Sequence, residues 1–143
     1  MVLGVILLLA ARLDVADSGA VCYALRVEPW SLPGYATLRL PDTVRLSRGP
    51  TAHGGALRPE LGRGAVFGGQ GRPFPGTPNW RRAGADSLTL RWSDGFTGVV
   101  LRARVRGDSL SGRAETFTDV RGSPQASAAV SGGRAACPGA RAG

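Results

Sequence analysis

Lysine is absent from this chain of 143 residues, histidine occurs once and cysteine twice. Each shortage excludes a class of chemistry. Without Lys there is no Walker P-loop, no Schiff-base enzyme and no Ser-Lys catalyst; with one His and two Cys there is no zinc-finger, His-triad or iron–sulfur constellation. The single histidine, His53, stands in a Gly-rich stretch with no Ser, Cys or carboxylate at a spacing that would make it the base of a hydrolase. Glycosidase chemistry needs two carboxylates, and none of the acids beyond residue 20 sits in a motif that would supply them. The run from Gly62 to Gly71 is rich in Gly but lacks the strand, turn and helix setting that gives a dinucleotide-binding glycine motif its meaning. The expectation is a protein that is not an enzyme, with no cofactor and no metal.

What the chain does hold is Gly (22), Ala (20), Arg (18) and Pro (10), against only eight residues of Lys, Asn, Ile, Phe and Tyr together. That contrast is what a very GC-rich genome produces. The formal charge of +8 is carried wholly by Arg, so codon pressure accounts for part of the Arg excess before any anionic partner is invoked.

Val2 to Ala11 read VLGVILLLAA, an apolar run followed by Arg12 and a mixed stretch ending Ser18-Gly19-Ala20. Ten residues cannot cross roughly 30 Å of hydrocarbon. A signal peptide over residues 1–20, cut after Ala20, fits better. A buried N-terminal helix fits less well, because Asp14 and Asp17 fall where its apolar face should continue. The expected location is therefore the periplasm or the cell exterior, with membrane contact only through an uncleaved leader. Gly19, three residues before Cys22, and Val21, just before it, stand where a lipoprotein signal would need a Leu/Val-type and a small residue, about ten residues past the apolar run, so Cys22 is not read as a lipidation site.

In an exported chain two Cys most simply pair. A Cys22–Cys137 bridge would tie the two ends of the domain together. The core needs such a staple: after residue 20, Leu, Val and Phe make 24 of 123 residues, with no Ile, close to the roughly 20 % level below which a charged chain tends to disorder. Removing the leader also takes away Arg12, Asp14 and Asp17 and raises the charge to +9.

Beyond the leader, period-two alternation dominates and no helical stripe of useful length occurs. Tyr23, Leu25 and Val27 alternate with Ala24, Arg26 and Glu28 in a first strand that Pro29 and Pro33-Gly34 end. Ala36, Leu38, Leu40, Val44 and Leu46 share one parity, which predicts a long bent edge strand or two segments of one sheet with Pro41 at the bend. Residues 47–85 hold ten Gly and five Pro and read as an irregular crossover, anchored by Phe67, Phe74 and Trp80.

Residues 86–118 read as a three-stranded meander with turns at Asp94-Gly95 and Gly107-Asp108. The second turn pairs Val105 with Leu110, Ala103 with Gly112 and Leu101 with Ala114. The first pairs Trp92 with Val99, Leu90 with Leu101 and Leu88 with Ala103. Both registers put the apolar residues on one face, and that agreement supports them. A last strand runs from Ala126 to Ala136, and residues 138–143 are expected to fray.

The other face of the meander then carries Arg91, Arg102, Arg104, Arg106 and Arg113, with Arg102 opposite Arg113 and Glu115 nearby. Like charges so placed repel unless an anion or a carboxylate lies between them. Arg91, Arg102, Arg104 and Arg113 are therefore the candidate site for an anionic ligand, such as a phosphate-bearing envelope glycan; a merely solvated face is the competing reading. No aromatic stacking platform accompanies them, so nucleic acid is not the expected partner. On the apolar face, Leu90, Trp92, Leu101 and Val105 would line a cavity for a small hydrophobic ligand, or simply fill the core. Arg106-Gly107-Asp108-Ser109 spells an adhesion tetrapeptide, but Gly-Asp there is hairpin chemistry.

A first strand ending in Trp30 and followed later by an antiparallel meander resembles the lipocalin-like class of small exported barrels, with Glu28 where that class has Gly. Cys-Tyr near the start, Trp-Ser-x-Gly-Phe, Gly-Asp-x-Leu-x-Gly and a closing Cys are also similar to a group of small exported proteins from GC-rich bacteria. Together these readings predict one all-β domain over 21–137, an antiparallel barrel or barrel-like sheet of six to eight strands. The expected function is that of a monomeric, non-catalytic binding or structural module of the cell envelope.

Overall fold

A computed structural model describes residues 19–47, 54–59, 66–67, 72–73 and 78–138. The expected leader and frayed tail lie outside the described residues except for Gly19, Ala20 and Pro138, as do His53 and Phe74. Among the described residues the strands are β1 (Val21–Val27), β2 (Thr43–Leu46), β3 (Gly54–Pro59), β4 (Val66–Phe67), β5 (Arg72–Pro73), β6 (Asn79–Ala83), β7 (Ser87–Ser93), β8 (Thr97–Arg106), β9 (Ser109–Thr118) and β10 (Ser127–Ala135). Eight of them close into an antiparallel barrel in the order β1-β10-β9-β8-β7-β6-β3-β2, while β4 and β5 pair separately. The fold is thus the all-β barrel that the alternation implied, and closure leaves the barrel no free edge strand.

The meander has the register its turns and parity predicted. Leu101 faces Leu90 on β7 and Ala114 on β9, and Arg102 faces Arg113. Gly107, at φ 59°, supplies the left-handed residue of the β8–β9 hairpin. Asp94 shapes the β7–β8 turn: its Oδ1 accepts the N–H groups of Phe96 (2.9 Å) and Thr97 (2.7 Å). Those bonds hold its carboxyl below the usual carboxylate range.

The barrel interior is filled from unequal walls. Trp92, Leu88, Leu90, Leu101 and Leu110 are almost wholly buried, while Ala114, Ala126 and Ala128 line the β9–β10 side. An eight-stranded barrel is just wide enough for its own side chains, so a wall of large groups requires a wall of small ones. Gly112 marks a place where strands crowd: a Cβ there would collide with the Arg102 carbonyl and the Cα of Ala103.

Topology places the start of β1, the end of β10 and the β6–β7 and β8–β9 hairpins at one mouth. Cys22 and Cys137 form a disulfide there, with Cα atoms 5.2 Å apart. The other mouth is closed by the β1–β2 connection. Leu38 and Leu40 are buried in the core cluster, and the Trp30 indole donates to the Leu38 carbonyl at 3.1 Å.

Two readings of the sequence change. The shared parity of Leu38, Leu40, Val44 and Leu46 does mark burial, but before Thr43 the pairing is a single bridge at Arg39, and the continuous strand begins only at Thr43. The segment before it is a one-turn 3-10 helix at Pro33–Tyr35 followed by the buried plug. Residues 47–85 are not wholly irregular either, because β3 and β6 lie within them and complete the barrel. Gly54 and Gly55 pair with Arg81 and Trp80, and the Trp80 indole donates to the Ser47 carbonyl at 2.9 Å. Trp80 therefore anchors this region from a strand rather than from a loop.

Candidate anion-binding face

Each side chain of the outer β7–β9 face is positioned by the pairing that fills the core. Because neighbouring residues on a strand point to opposite faces, inward Leu88, Leu90, Leu101, Ala103 and Ala114 force the residues between them outward. Thr89, Arg102 and Arg113 form one row across the three strands; Ser87, Arg104 and Ser111 form the next. These six residues line a shallow groove of about 500 Å³. Three guanidinium groups and three hydroxyls make a surface that presents mainly hydrogen-bond donors, on strands whose backbone is fixed from both sides.

The repulsion between Arg102 and Arg113 is relieved diagonally. Glu115, one row away, accepts from the Arg102 guanidinium at 2.8 Å, and Arg113 donates to the Ser127 hydroxyl at 3.0 Å. Both partners of the Arg102–Glu115 pair are about half exposed or more, so the bridge contributes at most about 1 kcal/mol. Arg91 lies over the Phe117 ring, 4.6 Å from its centroid, a contact that orients the cation. Arg104 is exposed and has no ion-pair or side-chain hydrogen-bond partner among the described residues.

The four candidate arginines thus share one face, with three lining the groove and Arg91 beside it on Phe117. Arg81 joins them: it pairs with Thr89, which pairs with Arg102, so it extends the same row onto β6. Reading 47–85 as irregular hid it, although the alternation in Asn79-Trp80-Arg81-Arg82 before the Gly84 turn carries the signal. Leu90, Trp92 and Leu101 face the barrel interior within the core cluster, and Val105 packs against that cluster from nearer the mouth. The apolar recess in the structure lies elsewhere. A cleft of about 410 Å³ under the β1–β2 connection is lined mainly by apolar residues, Leu25, Trp30 and Leu38 among them, together with the charged Glu28, Arg39 and Asp42.

Among the described residues no group of three or more His, Cys, Asp or Glu is arranged to hold a metal, and no helix is long and apolar enough to cross a membrane. The disulfide is at home in an oxidising compartment. No protein-family model, curated protein or solved structure matches this chain.

Proposed function

We propose that this protein is an exported, non-catalytic binding module of the bacterial envelope that holds an anionic component on the outer face of β7–β9. The groove between Arg102, Arg104 and Arg113, with its three hydroxyls, carries this reading. Guanidinium groups suit phosphate, sulfate and carboxylate because their donors are fixed in a planar fork. The formal charge of +8 adds a long-range attraction for polyanions. The apolar run at 2–11 and the Cys22–Cys137 bridge support export.

Retention on a heparin column under a salt gradient tests this reading. The wild-type protein is expected to stay bound well above about 0.1 M salt, where exposed charges more than a Debye length apart are largely screened. Arg104→Ala should elute earlier. Glu115→Gln, which releases Arg102, should elute later. Arg39→Ala removes the same charge away from the groove and sets the scale, since Arg39 donates only to the Ala36 carbonyl of its own loop. Equal shifts for Arg104→Ala and Arg39→Ala would reduce the face to a contribution of net charge.

A second reading rests on the cleft beneath the β1–β2 connection, whose lining is largely apolar, with Glu28, Arg39 and Asp42 as its charged members, and would suit a small amphipathic or hydrophobic ligand. Native mass spectrometry of protein taken from its own envelope should then show an added lipid-sized mass that Trp30→Ala abolishes. Bare protein in every preparation would remove this reading.

A further inference from the structure

Resting on the anion-binding reading, we infer that the ligand is a linear phosphodiester polymer of polyol or sugar units lying along β8 and engaging three successive charges. Arg102, Arg104 and Arg106 are alternate residues of β8, all exposed. Alternate residues of a strand recur about every 6.6 to 6.8 Å, so these three cations form a ladder roughly 13 Å long. Every rung has a hydroxyl beside it. Thr89 flanks Arg102, Ser87 and Ser111 flank Arg104, and Ser109 flanks Arg106. Arg and hydroxyl thus repeat three times in one direction, which a lone phosphate cannot exploit and a chain of regularly spaced phosphates can.

Acidic residues bound the ladder at both ends. Glu115 sits opposite Val100, one step before Arg102. At the far end Asp86 occupies the β6–β7 turn and Asp108 the β8–β9 turn, where Asp108 lies 3.8 Å from Arg134. Arg104 and Arg106 have no carboxylate opposite them, whereas Arg102 is held by Glu115 at 2.8 Å, so a phosphate at that rung competes with the carboxylate. This pattern limits the favourable path along the strand to three charges. Among the described residues no aromatic ring is paired with a rung to stack a base, and Phe117 on the same face of β9 is covered by Arg91. The repeat therefore favours a backbone without bases.

Binding to the intact protein can be measured by titration calorimetry with inorganic phosphate, with glycerol-phosphate oligomers of one to six units, and with oligothymidylates of matching phosphate number. Affinity should rise with each unit to three and then level off. At three units the slope of log K against log salt should be near −2, from about 0.7 per phosphate on a single strand. Arg106→Ala should remove about one phosphate from that slope and end the gain between two and three units. Inorganic phosphate binding as tightly as the trimer, or Arg106→Ala leaving the length dependence intact, would overturn the ladder while leaving an anion site in place. Tighter oligothymidylate at equal phosphate number would overturn the choice of a base-free polymer. A protein that binds none of these probes and is not held by heparin would overturn the underlying reading as well.

Discussion

Cys137→Ser should lower the stability of the folded protein by about 4 to 5 kcal/mol. The bridge it removes joins residues 115 apart in sequence, and on the chain-entropy model a loop of that length restricts the unfolded chain by this amount. Cys137 is the better partner to change, because Cys22 is fully buried and a serine there would add an unsatisfied hydroxyl to the core. For a domain of this size the loss corresponds to a melting point lower by roughly 15 °C or more. Calorimetry with and without reductant checks it: reductant should lower the wild-type transition to that of the variant and leave the variant unchanged. A variant melting within a few degrees of the oxidised wild type would show that the barrel holds without its staple.

Trp92→Ala should cost about 3 to 5 kcal/mol, the range for removing a large aromatic from a packed interior. Trp92 is the largest side chain among those almost wholly buried, and it pairs across the ladder with Val99. Trp80→Ala provides the contrast. That residue is only half-buried, so its removal should cost clearly less. Urea unfolding would separate the two, with the midpoint moving far more for Trp92→Ala at unchanged slope. Equal shifts would mean that the interior can collapse around the missing ring. Since a whole domain is commonly stable by only about 5 to 15 kcal/mol, either of the two larger losses would leave a substantially weakened fold.

The meander was legible because two independent constraints agree in it. Gly107-Asp108 fixes which residues pair, and the apolar parity of Leu101, Ala103 and Val105 requires the same pairing. Parity alone served less well around Leu38 and Leu40, where alternation marks burial but does not say whether neighbouring backbone supplies a ladder; Pro41, with no N–H, interrupts it. For β3 and β6 the information is hardly local. Gly54 and Gly55 carry no apolar signal, and their strand pairing is with Arg81 and Trp80 of β6, while β2 pairs further along β3 at Leu57, Arg58 and Pro59. The site divides in the same way. Which arginines face outward follows from alternation, and so does the opposition of Arg102 and Arg113. The diagonal contacts, Arg102 with Glu115 and Arg91 with Phe117, depend on side chains leaning across the twisted sheet. A flat pairing diagram does not contain that twist.

The disulfide also has a mechanical meaning. It joins the residue next to the start of β1 to one just past the end of β10. A pull applied between the chain on either side of the barrel therefore runs through a covalent sulfur–sulfur link and bypasses the hydrogen bonds that pair β1 with β10. The strands between carry no load. Held at one flank and tugged at the other, the oxidised barrel would keep its arginine face in register under tension that would unzip the reduced barrel strand by strand.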